Sequence, residues 1–139
     1  MKSVYIHIPF CEKICSYCDF CKVLYNRQLV DKYLDSLEEE IKSNYLGEVI
    51  NTIYIGGGTP SSLSVLQLER LFKIVSIFKK REDIEFTIEA NFESMSKEKI
   101  DLFKRYGVNR ISFGLESTNK KHLEFLNRDF DRCHVIDIV

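Results

Sequence analysis

Four cysteines fall within eleven consecutive residues: Cys11, Cys15, Cys18 and Cys21. The first three are spaced C-x3-C-x2-C. Thiolates are soft ligands that suit iron–sulfur clusters and zinc. Structural zinc takes four ligands, commonly as two separated pairs. No second pair follows here, and the remaining cysteine, Cys133, has no neighbouring ligand. Three thiolates on a cubane would leave one iron open to a ligand from outside the protein. Spacing alone leaves a cluster, a zinc site and packed thiols as competing readings, with the cluster favoured.

Two further features could do chemistry. The run Gly56-Gly57-Gly58-Thr59-Pro60 lacks side chains where a ligand could approach backbone amides closely. It does not continue to the Gly-Lys-Ser/Thr of a phosphate loop and does not fit a dinucleotide fingerprint. Taken alone it is a tight strand-to-helix turn. Beside the cysteine loop, ligand contact becomes the better reading. Glu89, in Ile88-Glu89-Ala90-Asn91, is either a solvated carboxylate at a strand end or an acceptor for hydroxyl or ammonium donors. His7 reads as a satisfied, partly buried histidine, His122 and His134 as surface groups, and Cys133 as a packed thiol.

The elements that must position these residues follow from periodicity. Ser3–Ile8 alternates as a strand. Val30, Tyr33, Leu34, Leu37 and Ile41 recur at helical spacing across Arg27–Leu46, and Gly47 is a plausible stop. Thr52–Ile55 is a short strand. Ser64 and Gln67 form a capping-box signature for a helix turning Leu68, Leu71, Phe72, Val75 and Phe78 inward. Ile84–Glu89 is a strand, Ser96 caps a helix through Tyr106, and Gly107 ends it. Asn109–Gly114 is a fourth strand, Lys120–Leu126 a helix, and Arg132–Val139 the start of another. The order βαβαβαβα predicts an α/β fold with a parallel sheet and right-handed crossovers. Loops at the carboxyl ends of parallel strands usually carry the site. The cysteine loop, the glycine run, Glu89 and Glu116 all fall there.

The 139 residues suit one domain, and 45% hydrophobic with 29% charged residues argues against disorder. A formal net charge of −1 offers no overall field for nucleic acid or an anionic membrane. No apolar run approaches the roughly 20 residues of a membrane span, and no secretory signal is visible. A cytoplasmic setting is expected, where clustered cysteines favour metal or redox chemistry over disulfides.

The run from Tyr5 through Cys11, Cys15, Tyr17 and Cys18 to Asp19-Phe20 resembles the signature of radical S-adenosylmethionine (SAM) proteins. More closely, it is similar to oxygen-independent coproporphyrinogen III oxidases and their haem-chaperone relatives. The resemblance implies a partial parallel (β/α) barrel and a 4Fe–4S cluster on Cys11, Cys15 and Cys18, with SAM on the fourth iron. It implies SAM contacts at Tyr5, Tyr17, Gly57 and Glu89, and contacts near a second SAM at Gly58, Thr59, Glu116 and Arg128. Three positions depart from the pattern. Cys21 lies three residues after Cys18, where the oxidases place a cysteine at two, and is read as a non-ligand loop thiol. Phe92 stands where proline is usual. Glu116 replaces a glutamine, which removes two amide donors and adds a charge. Arg110 is read as structural, and a surface salt bridge is the plain alternative for Arg128.

The family implies an electron donor such as flavodoxin or ferredoxin, and a porphyrinogen or haem as the partner ligand. Asp19-Phe20 and Glu116 favour a haem chaperone over an oxidase. The resemblance covers essentially all of residues 1–139 but only the front of the family's domain, about four βα units. Later barrel strands and a C-terminal domain are therefore expected to be absent. An open sheet edge and an uncovered apolar inner face are expected with them, and hence poor solubility and weak or no activity for this chain alone.

Overall fold

The computed structural model describes residues 2–128 together with Val135 and Ile138. Strands β1 (Ser3–Ile8), β2 (Phe10–Cys11) and β3 (Val23–Leu24) precede helix α1 (Arg27–Asn44). Then follow β4 (Val49–Gly57), α2 (Val65–Val75), β5 (Lys79–Asn91), α3 (Lys97–Arg105), β6 (Arg110–Gly114) and α4 (Lys120–Phe125). The four long strands form one parallel sheet in the order β1-β4-β5-β6, as the βα alternation requires. Val135 and Ile138 have helical backbone. The rest of the expected Arg132–Val139 helix, with Cys133 and His134, lies outside the described residues.

Strand side chains alternate between faces, and only one set here is apolar. Ile6 and Ile8, Ile53 and Ile55, and Phe86, Ile88 and Ala90 are all buried beneath the helices. Helix α1 covers them with Val30, Leu34, Leu37 and Ile41, and α2 with Leu68, Leu71, Phe72 and Val75. Phe72 meets Phe86 and Phe103 edge-on, at centroid distances of 6.1 and 5.5 Å. The opposite set is polar: Tyr5, Tyr54, Thr87 and Arg110 stand in one cross-strand row. His7, Gly56, Glu89 and Ser112 follow one pleat further on. The expected apolar inner face is therefore absent among the described residues. The other ground for that expectation, an open sheet edge, remains: among the described residues β1 and β6 each pair on one side only.

The capping box forms. Ser64 Oγ accepts from Gln67 N–H at 3.3 Å, and Gln67 Oε1 accepts from Ser64 N–H at 3.2 Å. Ser64→Ala should cost about 1 kcal/mol, read as a lower urea midpoint with unchanged slope. Several boundaries differ from expectation; α2 ends at Val75, so Phe78 is buried from the turn beyond the helix. Helix α1 ends at Asn44, and Gly47 takes a left-handed φ of +92° in the turn beyond. Strands β4 and β5 run past Thr52–Ile55 and Ile84–Glu89, because backbone pairing continues at Val49–Lys79 and Ile50–Lys80, beyond an irregularity between Ile50 and Thr52. The two-residue strands β2 and β3 are too short to leave a periodic signal.

Candidate functional site

The loop between β2 and β3 carries the cysteines, and its two feet are joined. Phe10 pairs with Val23 and Cys11 with Leu24. Lys22 Nζ donates to the carbonyls of Cys18 and Phe20, drawing the loop back on itself. The glycine run docks on the same foot. Gly58 N–H donates to Ile8 O at 2.9 Å, and Thr59 N–H to Phe10 O at 2.8 Å. A Cβ on Gly58 would stand 2.9 Å from Cys11 Sγ, and one on Gly57, at φ +122°, 2.9 Å from the His7 ring. No side chain fits either place, so the glycines let β4 close against the cysteine loop.

Cys11 is buried, Cys15 and Cys18 are half-buried, and Cys21 is exposed. Cys11 Sγ lies 3.5 Å from Thr59 Oγ1. Burial pushes the Cys11 thiol up, and Cys18 and Cys15 add to this, while Thr59 and Lys22 oppose it. A bound metal centre would reverse that balance by stabilising the thiolate. Among the described residues, no three or more His, Cys, Asp or Glu side chains stand where they could share one metal ion. Cys11, Cys15 and Cys18 all line one cleft of about 230 Å³. Soft thiols gathered on one cleft are the donor type that an iron–sulfur cluster takes. The donor set therefore fits a cluster. Cys21 does not line the cleft; its carbonyl pairs with His7 Nε2 at 3.0 Å.

The same cleft is lined by every candidate cofactor residue except Tyr5: Tyr17, Gly57, Gly58, Thr59, Glu89, Glu116 and Arg128. Tyr5 sits one pleat lower on β1, 59% exposed, its ring stacked on Tyr54 at 6.0 Å and its hydroxyl 3.1 Å from His7 Nδ1. Both ring nitrogens of His7 are thus partnered, as a structural histidine requires. Glu116 adopts a left-handed φ of +58° just after β6. Arg110 pairs with Glu85 at 3.3 Å on the surface. Arg128 is more deeply held than a surface pair: Nε donates to Glu93 Oε1 at 2.6 Å, and NH2 to Glu93 Oε2 and to Gly114 O, both at 2.9 Å. It also hydrogen-bonds with Tyr17. Burial opposes its charge, but Glu93 and Tyr17 together hold the guanidinium above its usual value.

Two residues of the site carry no signal of their own in the sequence. Tyr54 donates to Glu89 Oε1 at 2.6 Å, and Glu93 holds Arg128. Strand alternation counted back from Gly56 does place Tyr54 on the inner face. Glu93 lies in the single helical turn Phe92–Ser94, and nothing local announces its partner. That turn forms without the usual proline: Phe92 is buried and stacks on Phe113 at 4.3 Å.

A four-strand parallel sheet with three thiols, a glycine turn and a carboxylate at its carboxyl edge defines a class, and the comparisons agree with it. Residues 5–139 match the model of the Radical SAM superfamily, and the chain belongs to that superfamily. Its members bind a 4Fe–4S cluster and SAM. The chain is 46% identical to the haem chaperone HemW of Bacillus subtilis, over 92% of this chain and 35% of that protein. It is 35% identical to the oxygen-independent coproporphyrinogen III oxidase of Escherichia coli, over 93% of this chain and 29% of that protein. The solved structure of coproporphyrinogen III oxidase (HemN) from Escherichia coli, a radical SAM enzyme, superposes with a TM-score of 0.91 at 33% identity. That match covers 98% of this chain and 32% of the other. The chain spans about a third of the length of these relatives.

Proposed function

We propose that this chain is the cluster- and SAM-binding part of a radical SAM protein of porphyrin and haem metabolism. The observation that carries this reading is the single cleft into which Cys11, Cys15, Cys18, the glycine turn and Glu89 all face. Cys11, Cys15 and Cys18 would hold the cluster. Gly57 would admit the methionine part of SAM close to the backbone, Glu89 would accept its donors, and Gly58 and Thr59 would stand near a second SAM. Tyr17, on the cysteine loop, would lie beside the adenine. When bound, cluster and SAM supply one-electron cleavage of a carbon–sulfur bond. The protein's part is to position, to keep the thiols in one cleft and to exclude water from it. Flavodoxin or ferredoxin is the proposed electron source, and the reducing cytoplasm the proposed setting.

Two activities on this scaffold are distinguished by the partner ligand. An oxidase acts on coproporphyrinogen; a chaperone binds haem for delivery. The higher identity to HemW, together with Asp19-Phe20 and Glu116, supports the chaperone. Anaerobic reconstitution followed by EPR, with and without SAM, tests the shared part. A 4Fe–4S signal that changes on adding SAM is expected. One zinc with no iron or sulfide, or a signal indifferent to SAM, would overturn it. Haem titration beside an anaerobic coproporphyrinogen assay then separates the two: saturable haem binding without substrate consumption marks the chaperone.

A further inference from the structure

Glu89 is held in place by the protein's own donors. Its Oε1 accepts the Tyr54 hydroxyl at 2.6 Å, and its Oε2 accepts Gly57 N–H at 3.1 Å. An ionised carboxylate has about four lone-pair sites, so about two remain for a ligand. A glutamate at a strand end, left alone, samples several staggered rotamers. Here two fixed donors set both the plane and the reach of its carboxylate. Tyr54 is braced in turn. Its ring lies against Tyr5 at 6.0 Å and 28°. A Cβ on Gly56 would stand 2.8 Å from Tyr54 Cε1 and 2.9 Å from Glu89 Oε2, so Gly56 leaves the gap through which the two side chains meet. The hydrogen bond to Glu89 raises the Tyr54 pKa, and burial adds to this, so the phenol remains a donor.

We propose that Tyr54 is a positioning residue that pre-orients Glu89 to receive the hydrogen-bond donors of SAM. Tyr54 does not itself line the cleft; it acts through Glu89. The inference rests on the proposed reading of Glu89 as a cofactor contact. Its energetic logic is preorganisation: a carboxylate already fixed loses less freedom when the ligand arrives. The donor is charge-assisted, since it serves an ionised acceptor.

The test uses SAM itself and the reconstituted chain, with binding read by equilibrium dialysis and by the SAM-induced EPR change. Tyr54→Phe removes one hydroxyl and keeps the ring against Tyr5. It should weaken SAM binding about ten-fold with iron and sulfide content unchanged. SAM cleavage at saturating SAM should fall much less than affinity. In a Glu89→Ala background, where no acceptor for the Tyr54 hydroxyl remains at that position, Tyr54→Phe should add little, because the two residues act as one unit. Gly56→Ala, which wedges the pair apart, should reproduce the loss. Parent-like affinity in Tyr54→Phe or in Gly56→Ala would overturn the proposal. So would an undiminished effect of Tyr54→Phe in the Glu89→Ala background. A parent chain that holds a cluster but ignores SAM would sink the functional reading and this one together, and that outcome is seen before any variant is made.

Discussion

Serine at any one of Cys11, Cys15 or Cys18 should abolish the reconstituted 4Fe–4S centre, while Cys21→Ser should leave it intact. Iron and sulfide, brown absorbance and EPR signal are expected to fall to background in the first three. The expectation follows from soft-ligand preference and from place. A serine hydroxyl is a hard oxygen donor and replaces a thiolate poorly at iron–sulfur centres. Cys11, Cys15 and Cys18 line the cleft, whereas Cys21 is exposed and outside its lining. Among the described residues no other His, Cys, Asp or Glu set stands ready to take over. Cys11→Ser should be the most severe. Its thiol is buried against Thr59 and Gly58, so the lost ligand sits at the closed base of the cleft rather than at its mouth. Cluster retention in Cys11→Ser, or its loss in Cys21→Ser, would reassign the ligands.

Much of this site is legible in the sequence alone, and the reasons are local. Three thiols at fixed short spacing constrain one another without help from the fold. The glycine run declares a close approach because only glycine tolerates the contacts later found at Gly57 and Gly58. Ser64 and Gln67 foretell their helix because both halves of a capping box lie within one turn. What escaped is non-local. The partners Glu93 and Arg128 are 35 residues apart. Tyr54 and Glu89 sit on different strands, equally far apart in the chain. The Tyr54–Glu89 pairing is set by strand register, and the Glu93–Arg128 pairing joins the turn Phe92–Ser94 to the chain beyond α4; the sequence signals the elements but not which residues meet across them. The inner face shows the same limit from another side. Ser3–Ile8 and Ile84–Glu89 alternate, but alternation alone does not say which face the helices cover. The paired register of Tyr5, Tyr54, Thr87 and Arg110 makes that face polar.

Removing Glu93 should be a costly polar change. The Arg128 side chain is only 5% exposed and meets Glu93 through two parallel donors. Loss of one member of a buried ion pair leaves the other as an uncompensated charge, which typically costs about 3–5 kcal/mol. Glu93 itself keeps 22% exposure, so water partly reaches the pair and the lower end of that range is expected for Glu93→Ala. The double change of Glu93 and Arg128 to methionine should be far milder than the single one, because no buried charge is then left unpaired. The loss in Glu93→Ala should vary little with added salt, as expected of a pair shielded from solvent ions. Urea unfolding of the three proteins at two salt concentrations measures all of this. A single-variant loss below about 1 kcal/mol, or one that vanishes in high salt, would reduce the pair to an ordinary surface bridge. The consequence reaches the cleft. Arg128 also joins Gly114 O at the end of β6 and Tyr17 on the cysteine loop, so a guanidinium that has lost its bidentate carboxylate would hold both less firmly. Stability and SAM affinity should therefore fall together in Glu93→Ala, whereas Tyr54→Phe should lower affinity alone.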